Sequence, residues 1–170
     1  MDSQSILGFD ELINQGPKIR FVAGPIAAGK SVYVKMFKEQ HPNAHVISVG
    51  DVARFVSGKS MRSSLQKDPV DAANIAERID DLVNAQEGCD LFLIDGPRQI
   101  EVIEYFIAAY GLGNVQVVWL DPGYEIRKSR FYSRNLETDS DSDFDDANQL
   151  DDALGLKEIK NFVHNFLTIH

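Results

Sequence analysis

The residues with the clearest chemical potential form an octapeptide, Gly24 to Ser31, of the pattern G-x-x-x-x-G-K-[ST]. Its glycines let the backbone curl so that successive N–H groups point at phosphate oxygens. A helix that starts near Lys30 aims its positive end at the same anion. In this pattern the lysine neutralises the β- and γ-phosphates and the Ser31 hydroxyl ligates magnesium. The residues predicted to bind ATP are Gly24, Pro25, Ile26, Ala27, Ala28, Gly29, Lys30, Ser31 and Val32.

The alternative for this segment is a glycine turn that matches the pattern by accident. With ordinary composition, such an octapeptide arises by chance in roughly one chain in two hundred of this length. An apolar run precedes it and a helical pattern follows it, which makes an accident rarer still. We therefore expect nucleotide binding.

A second chemical group, the carboxylate of Asp95, follows the apolar run 91–94. Ligands of open α/β sheets bind at the carboxyl edge of the strands, so an aspartate there lies beside the phosphate loop. We expect Asp95 to hold magnesium through a water, together with Ser31. The alternative is an aspartate that only caps the next helix. The expected cofactor is Mg²⁺ with ATP.

Two arginines follow the second and third predicted strands, in Gly50-Asp51-Val52-Ala53-Arg54 and Asp95-Gly96-Pro97-Arg98. Both should stand at the carboxyl edge of the sheet. A guanidinium fork binds phosphate bidentately and stays charged. Either arginine alone is more often a solvated surface residue, but the paired placement favours a site for a second anion.

These residues require a scaffold, and short apolar runs do alternate with helical patterns along the chain. The predicted strands are residues 18–23, 45–49, 90–94 and 115–120. The predicted helices are 30–40, the segment that Asp68-Pro69 opens and Gly88 ends, 100–110 with Ile100, Ile103, Ile107 and Tyr110 on one face, and the segment that Asp121-Pro122 opens. A helix over 156–164 and a strand over 166–169 are predicted at the end. This alternation indicates an α/β fold, with a parallel sheet and helices on both faces.

Bulk properties narrow the class of protein. The 170 residues suffice for one domain with a core, which we take as residues 1–170. A net charge of -9 argues against binding to nucleic acid or an anionic membrane. One cysteine and a start without basic residues or an apolar run indicate a cytoplasmic protein with no signal peptide.

The phosphate loop, the Gly-Asp-x-x-Arg segment ending at Arg54 and the Asp-Gly-Pro-Arg segment ending at Arg98 together resemble the adenylate-kinase-like family of nucleoside monophosphate kinases. In that family the second and third motifs each carry an arginine that binds the acceptor phosphate. The third motif is one residue shorter here, which is more similar to dephospho-coenzyme-A-kinase-like proteins. The resemblance covers about residues 18 to 135. It implies a P-loop NTPase fold with a five-stranded sheet of order 2-3-1-4-5.

The resemblance also implies an acceptor-binding insert at about 51–88 and a lid at about 124–148. Asp51, Arg54, Arg62 and Arg98 are the expected acceptor-binding residues, although Arg62 on a polar surface loop is an equal alternative. Arg127, Arg130 and Arg134 recur at i, i+3 and i+7 and so share a helix face. In the family, arginines of this helix close on the triphosphate. A solvated basic face is the alternative.

An acidic, serine-rich run follows from Glu137 to Asp152. It fails the pattern of a calcium loop, because Phe144 stands where glycine is needed and Leu150 where glutamate is needed. We interpret the run as a loop of the lid that its charge keeps solvated.

The function predicted from these features is transfer of the γ-phosphoryl group of ATP to a nucleotide or nucleotide-like acceptor. The expected partners are thus a nucleoside triphosphate donor and a small phosphorylated acceptor. The expected catalytic residues are Lys30, Arg98, Arg127, Arg130 and Arg134. Two alternatives stay open: a dephospho-coenzyme-A-like or other small-molecule kinase, and a non-catalytic nucleotide-binding regulator. The sequence does not distinguish ATP from GTP.

Overall fold

A computed structural model describes residues 16–58, 71–134 and 141–166 of the chain. The strands are β1 (Lys18–Ala23), β2 (His45–Ser48), β3 (Leu91–Asp95) and β4 (Val115–Trp119). The helices are α1 (Lys30–Gln40), α2 (Val49–Ser57), α3 (Ala72–Asn84), α4 (Ile100–Tyr110), α5 (Tyr124–Arg134), α6 (Asp141–Ala153) and α7 (Leu156–Phe166). The predicted bounds of β1, α1 and α4 are confirmed.

The four strands form one parallel sheet of order β2-β3-β1-β4. Asp95 at the end of β3 lies opposite both Ser48 and Val22, and Trp119 at the end of β4 lies opposite Ala23. All four strands therefore end at one edge, and every loop that follows a strand starts there. This α/β fold confirms the predicted class and the order of the first four strands.

The predicted fifth strand, 166–169, is not among the strands of the described segments. Phe166 is the last residue of α7, so its assignment to a strand was wrong, and residues 167–169 lie outside the described residues. The helix α7 continues two residues beyond the predicted 156–164.

The core lies on both faces of the sheet, because alternate strand residues point to opposite sides. Phe21 and Ile94 pack on one face with buried residues of α2, α3, α4 and α7. Val22 and Leu93 pack on the other face with Phe37 of α1. Strands covered on both faces explain the nearly continuous apolar runs in the sequence.

Two helix starts differ from the prediction. The helix α3 is capped by Asp71, whose Oδ1 accepts a hydrogen bond from the Ala73 N–H at 2.9 Å; the predicted start at 68–69 lies outside the described residues. The carboxylate of Asp121 accepts from the Gly123 N–H at 3.0 Å, and α5 begins only at Tyr124. Asp121 thus closes a tight turn before the helix and does not cap it.

The segment 141–152, interpreted above as a solvated loop, is helical in α6. Phe144 is fully buried, with its ring 5.3 Å from that of Tyr124 and 5.4 Å from that of Phe131, centroid to centroid. One aromatic anchor thus docks an otherwise acidic helix onto α5. The solvated-loop interpretation was wrong for this part of the acidic run, and its residues 137–140 lie outside the described residues.

In the segments that the structure describes, no helix combines the length and the apolar character needed to cross a membrane.

Candidate nucleotide site

The phosphate loop, residues 24–31, joins β1 to α1 at the carboxyl edge of the sheet. Gly29 is the N-cap of α1 with φ +99°, and Ala27 also has a positive φ, +59°. A non-glycine residue in this conformation is strained, and such strain concentrates at functional sites. Since Gly29 has no side chain that could cap the helix, the first turn of α1 faces the loop as a site for an anion.

Lys30 lies folded across the loop. Its Nζ donates to the carbonyl oxygens of Gly24 at 2.8 Å and Pro25 at 3.2 Å. The ammonium group therefore stands among loop groups and not in bulk solvent, although the residue is only half-buried. This is a position from which a cation can neutralise an anion held by the loop amides.

Gly24 is needed because the backbone that follows β4 passes close to it. A Cβ placed on Gly24 would lie 2.3 Å from the carbonyl oxygen of Leu120, and Leu120 in turn donates its N–H to Ala23 at 2.8 Å. A backbone carbonyl held in this way cannot give way as the end of a flexible side chain does. The first glycine of the motif is thus required by packing.

We expect Gly24→Ala to lower the free energy of unfolding by about 1–3 kcal/mol, the range for steric overpacking. Gly50→Ala is the control, because Gly50 lies within α2 and an added Cβ would approach no atom closer than 3.7 Å. Because Gly50 lies in the first turn of the helix, alanine there should change the free energy of unfolding by less than about 1 kcal/mol. Urea unfolding of both variants measures the two effects. Equal effects of the two substitutions would contradict the close approach at Gly24.

The carboxylate of Asp95 stands at the end of β3 with one buried oxygen, Oδ1, that has no hydrogen-bond partner among the described residues. Burial raises the pKa of Asp95, while the charges of Lys30 and Arg98 lower it and that of Asp51 raises it. A buried, unpartnered carboxylate oxygen is a group that a cation with its water shell would satisfy.

Ser31 supplies a second oxygen at the exposed start of α1. The residue types fit magnesium, which usually takes one or two protein oxygens and completes its shell with water and phosphate. Within the described ranges no cluster of three or more His, Cys, Asp or Glu side chains forms a metal cage. The donor set thus suits a metal that arrives with a nucleotide.

Arg54, the first of the three predicted acceptor arginines, lies on the surface. Its guanidinium pairs with Asp51, one helical turn earlier in α2, and the two side chains are 57% and 68% exposed. The cap of α2 is Ser48, whose Oγ accepts from the Asp51 N–H at 3.3 Å. Arg62, which was also predicted to bind the acceptor, lies outside the described residues.

Arg98, the acceptor arginine predicted after β3, is largely buried. It pairs with a residue that the sequence analysis did not identify as functional. Its Nη1 contacts Oδ1 of Asp151 in α6, and the two side chains are 15% and 1% exposed. The other carboxylate oxygen of Asp151 accepts a hydrogen bond from the Ile26 N–H of the phosphate loop at 2.7 Å. Asp151 thus joins the loop to Arg98.

Two of the three arginines of α5 reach the phosphate loop. Arg127 is buried and donates from Nη1 to the Ile26 carbonyl at 3.3 Å, and Arg130 donates to the Ala28 carbonyl at 3.3 Å. Arg134 lies exposed at the end of the helix. The solvated-face alternative is therefore wrong for Arg127, which is docked on the loop in this structure.

Arg127 has two further partners. Its Nη1 donates to Oδ1 of Asn148 at 2.7 Å, and its Nε lies 3.3 Å from Oδ1 of Asp121, at ion-pair distance. Phe144, Asn148 and Asp151 are spaced i, i+4 and i+7, so one face of α6 bears against the loop and its arginines. Sequence reasoning missed Asn148 and Asp151; the helical spacing from Phe144 is the signal that could have found them.

A cavity of about 330 Å³ opens beside the loop. Trp119 forms one wall, and its buried Nε1 has no hydrogen-bond partner among the described residues. Its other walls include Pro25, Asp121, Arg127, Asn148 and Lys160. The cavity therefore offers aromatic, acidic and basic groups next to the phosphate site.

Comparison with solved structures shows a shared fold. Shikimate kinase from Acinetobacter baumannii, in complex with shikimate, superposes with a TM-score of 0.53 at 16% identity, over 88% of this chain and 83% of that one. TT1252 from Thermus thermophilus superposes with a TM-score of 0.54 at 15% identity, over 91% of this chain and 100% of that one. Shikimate kinase from Bacteroides thetaiotaomicron superposes with a TM-score of 0.53 at 12% identity, over 85% of this chain and 80% of that one.

These likenesses define the class of the fold: the chain has the α/β fold of P-loop kinases, with a parallel sheet and helices on both faces. No protein-family model matches the sequence, and no curated protein matches it. The adenylate-kinase-like resemblance of the motifs is thus not confirmed, because the similar structures include shikimate kinases.

Proposed function

We propose that the protein is an ATP-dependent phosphotransferase that uses a small molecule as acceptor. The observation that carries the proposal is the convergence, at one edge of the sheet, of a phosphate loop, a buried carboxylate and several arginines. Lys30, the pair Asp95 and Arg98, and Arg127 come from three separate segments of the chain. Phosphoryl transfer chiefly needs positioning and electrostatic stabilisation, which these groups supply.

In this proposal the loop amides and Lys30 hold the phosphates of the donor. Ser31 and Asp95 hold magnesium, which when bound neutralises charge on the β- and γ-phosphates. The cavity beside Pro25 receives the nucleoside part, with the Trp119 side chain as one of its walls. Arg130, already at the loop, stabilises the charge that moves during transfer.

The acceptor class is proposed in two forms. A nucleotide or nucleotide-like acceptor follows from the Gly-Asp-x-x-Arg and Asp-Gly-Pro-Arg motifs, with Arg54 and Arg98 on its phosphate and Asp51 orienting the acceptor. A hydroxylated small-molecule acid is favoured by a different observation, the fold shared with a shikimate kinase in complex with shikimate. Arginine suits both, because a carboxylate and a phosphate accept the same fork of hydrogen bonds.

The test is ADP formation from ATP across a panel of nucleoside monophosphates, dephospho-coenzyme A and hydroxy acids including shikimate. Reactions without acceptor and without magnesium are the controls. An acceptor-dependent rate in one group of the panel identifies the acceptor class. Nucleotide binding by calorimetry without any acceptor-dependent turnover would instead favour a nucleotide-binding regulator and contradict the proposal.

A further inference from the structure

The carboxylate of Asp151 occupies a position between the phosphate loop and Arg98. Oδ2 accepts from the Ile26 N–H at 2.7 Å, and Oδ1 is paired with the Arg98 guanidinium. A backbone N–H of a curled loop and an arginine fork are the donors that bind phosphoryl oxygens. An anion supplied by the protein itself therefore occupies donors that the proposed function assigns to phosphate.

We propose that Asp151 is an internal competitor of the triphosphate, whose carboxylate must leave the Ile26 amide and Arg98 before the γ-phosphate is bound productively. This inference rests on the proposed function. Two anions close together in a site with little water repel each other strongly. The Asp151 side chain is only 1% exposed, so solvent screens this repulsion poorly.

The displacement would also involve the arginines of α5, because α5 and α6 are joined. The Tyr124 hydroxyl donates to Asp145 at 2.6 Å and Arg127 donates to Asn148 at 2.7 Å. Release of Asp151 would therefore move α6 relative to the loop and disturb the contact of Arg127 with the Ile26 carbonyl. Donor binding, release of Arg98 toward the acceptor and repositioning of Arg127 would then be one coupled event.

The test is Asp151→Asn, which keeps the shape and one acceptor oxygen but removes the charge. Asp146→Asn is the matched control, since Asp146 is an exposed residue of the same helix. Calorimetry with magnesium and a non-hydrolysable ATP analogue should show binding tightened by about fivefold or more in Asp151→Asn. The Asp146→Asn value should stay within twofold of the wild type. ADP affinity should change less than that of the triphosphate analogue, because the competition is for the terminal phosphate.

A measurement on the wild-type protein tests the inference even if the Asp151→Asn variant does not fold. Saturation with the same analogue should shift the NMR signals of the Ile26 amide and the Asp151 carboxyl carbon, as they lose each other as partners. Unchanged signals, or equal or weaker binding by folded Asp151→Asn, would overturn the inference and leave the proposed function intact. Absence of triphosphate binding in both wild type and Asp151→Asn would overturn the proposed function and this inference with it.

Discussion

Lys30→Ala should lower the rate of phosphoryl transfer by at least about one order of magnitude. Hydrogen bonds to charged groups contribute about 1.5–3 kcal/mol each, and about 1.4 kcal/mol corresponds to a tenfold change. Lys30 already stands over the loop, with Nζ 2.8 Å from the Gly24 carbonyl oxygen. Its interaction with the donor should strengthen as charge moves toward the bridging oxygen, so the loss should fall on kcat more than on KM.

Lys35→Ala is the matched control for this substitution. Lys35 lies exposed in the same helix, α1. Lys35→Ala therefore changes the net charge and the residue's helix propensity by the same amount as Lys30→Ala. Steady-state ADP formation measures the rates, and circular dichroism verifies the fold. A folded Lys30→Ala protein with wild-type turnover, or an equal loss in Lys35→Ala, would contradict the assignment of Lys30 to the donor site.

The parts that the sequence predicted well are those fixed by local patterns. A phosphate loop requires a strand before it and a helix after it, and the bounds of β1 and α1 match the prediction. The nearly continuous apolar run before Asp95 predicted a strand covered on both faces, and β3 lies between β1 and β2. Local pattern and sheet topology together therefore placed Asp95 at the correct edge.

The parts that it missed depend on contacts between distant segments. The acidic composition of the 137–152 run concealed the apolar anchor Phe144, whose burial makes α6 a docked helix. Asp151 contacts Ile26 across 125 residues of sequence, and its i+7 spacing from Phe144 has meaning only once the acidic run is recognised as a helix. The two arginines predicted as equals also differ, because Arg98 meets a buried carboxylate from α6 while Arg54 meets an exposed one in its own helix.

That difference in burial leads to the second large expected effect, a contrast in stability between Arg98→Ala and Arg54→Ala. Removing one partner of a buried ion pair leaves the other charge uncompensated, which costs about 3–5 kcal/mol. Because 15% of the Arg98 side chain is exposed, the lower end of that range is expected, about 3 kcal/mol in the free energy of unfolding. Arg54 pairs with Asp51 in solvent, so Arg54→Ala should cost only about 0–1 kcal/mol.

A double variant separates the buried charge from other causes of instability. Arg98→Ala/Asp151→Asn removes the uncompensated carboxylate, so it should regain part of the stability lost in Arg98→Ala. Urea unfolding of the wild type, Arg98→Ala, Asp151→Asn and the double variant gives the coupling energy between the two side chains. Additive losses, or a loss below about 1 kcal/mol in Arg98→Ala, would show that the pair does not hold α6 against the segment that follows β3. A strong coupling would show that α6 is held to this segment by the same guanidinium that the proposed reaction assigns to the acceptor.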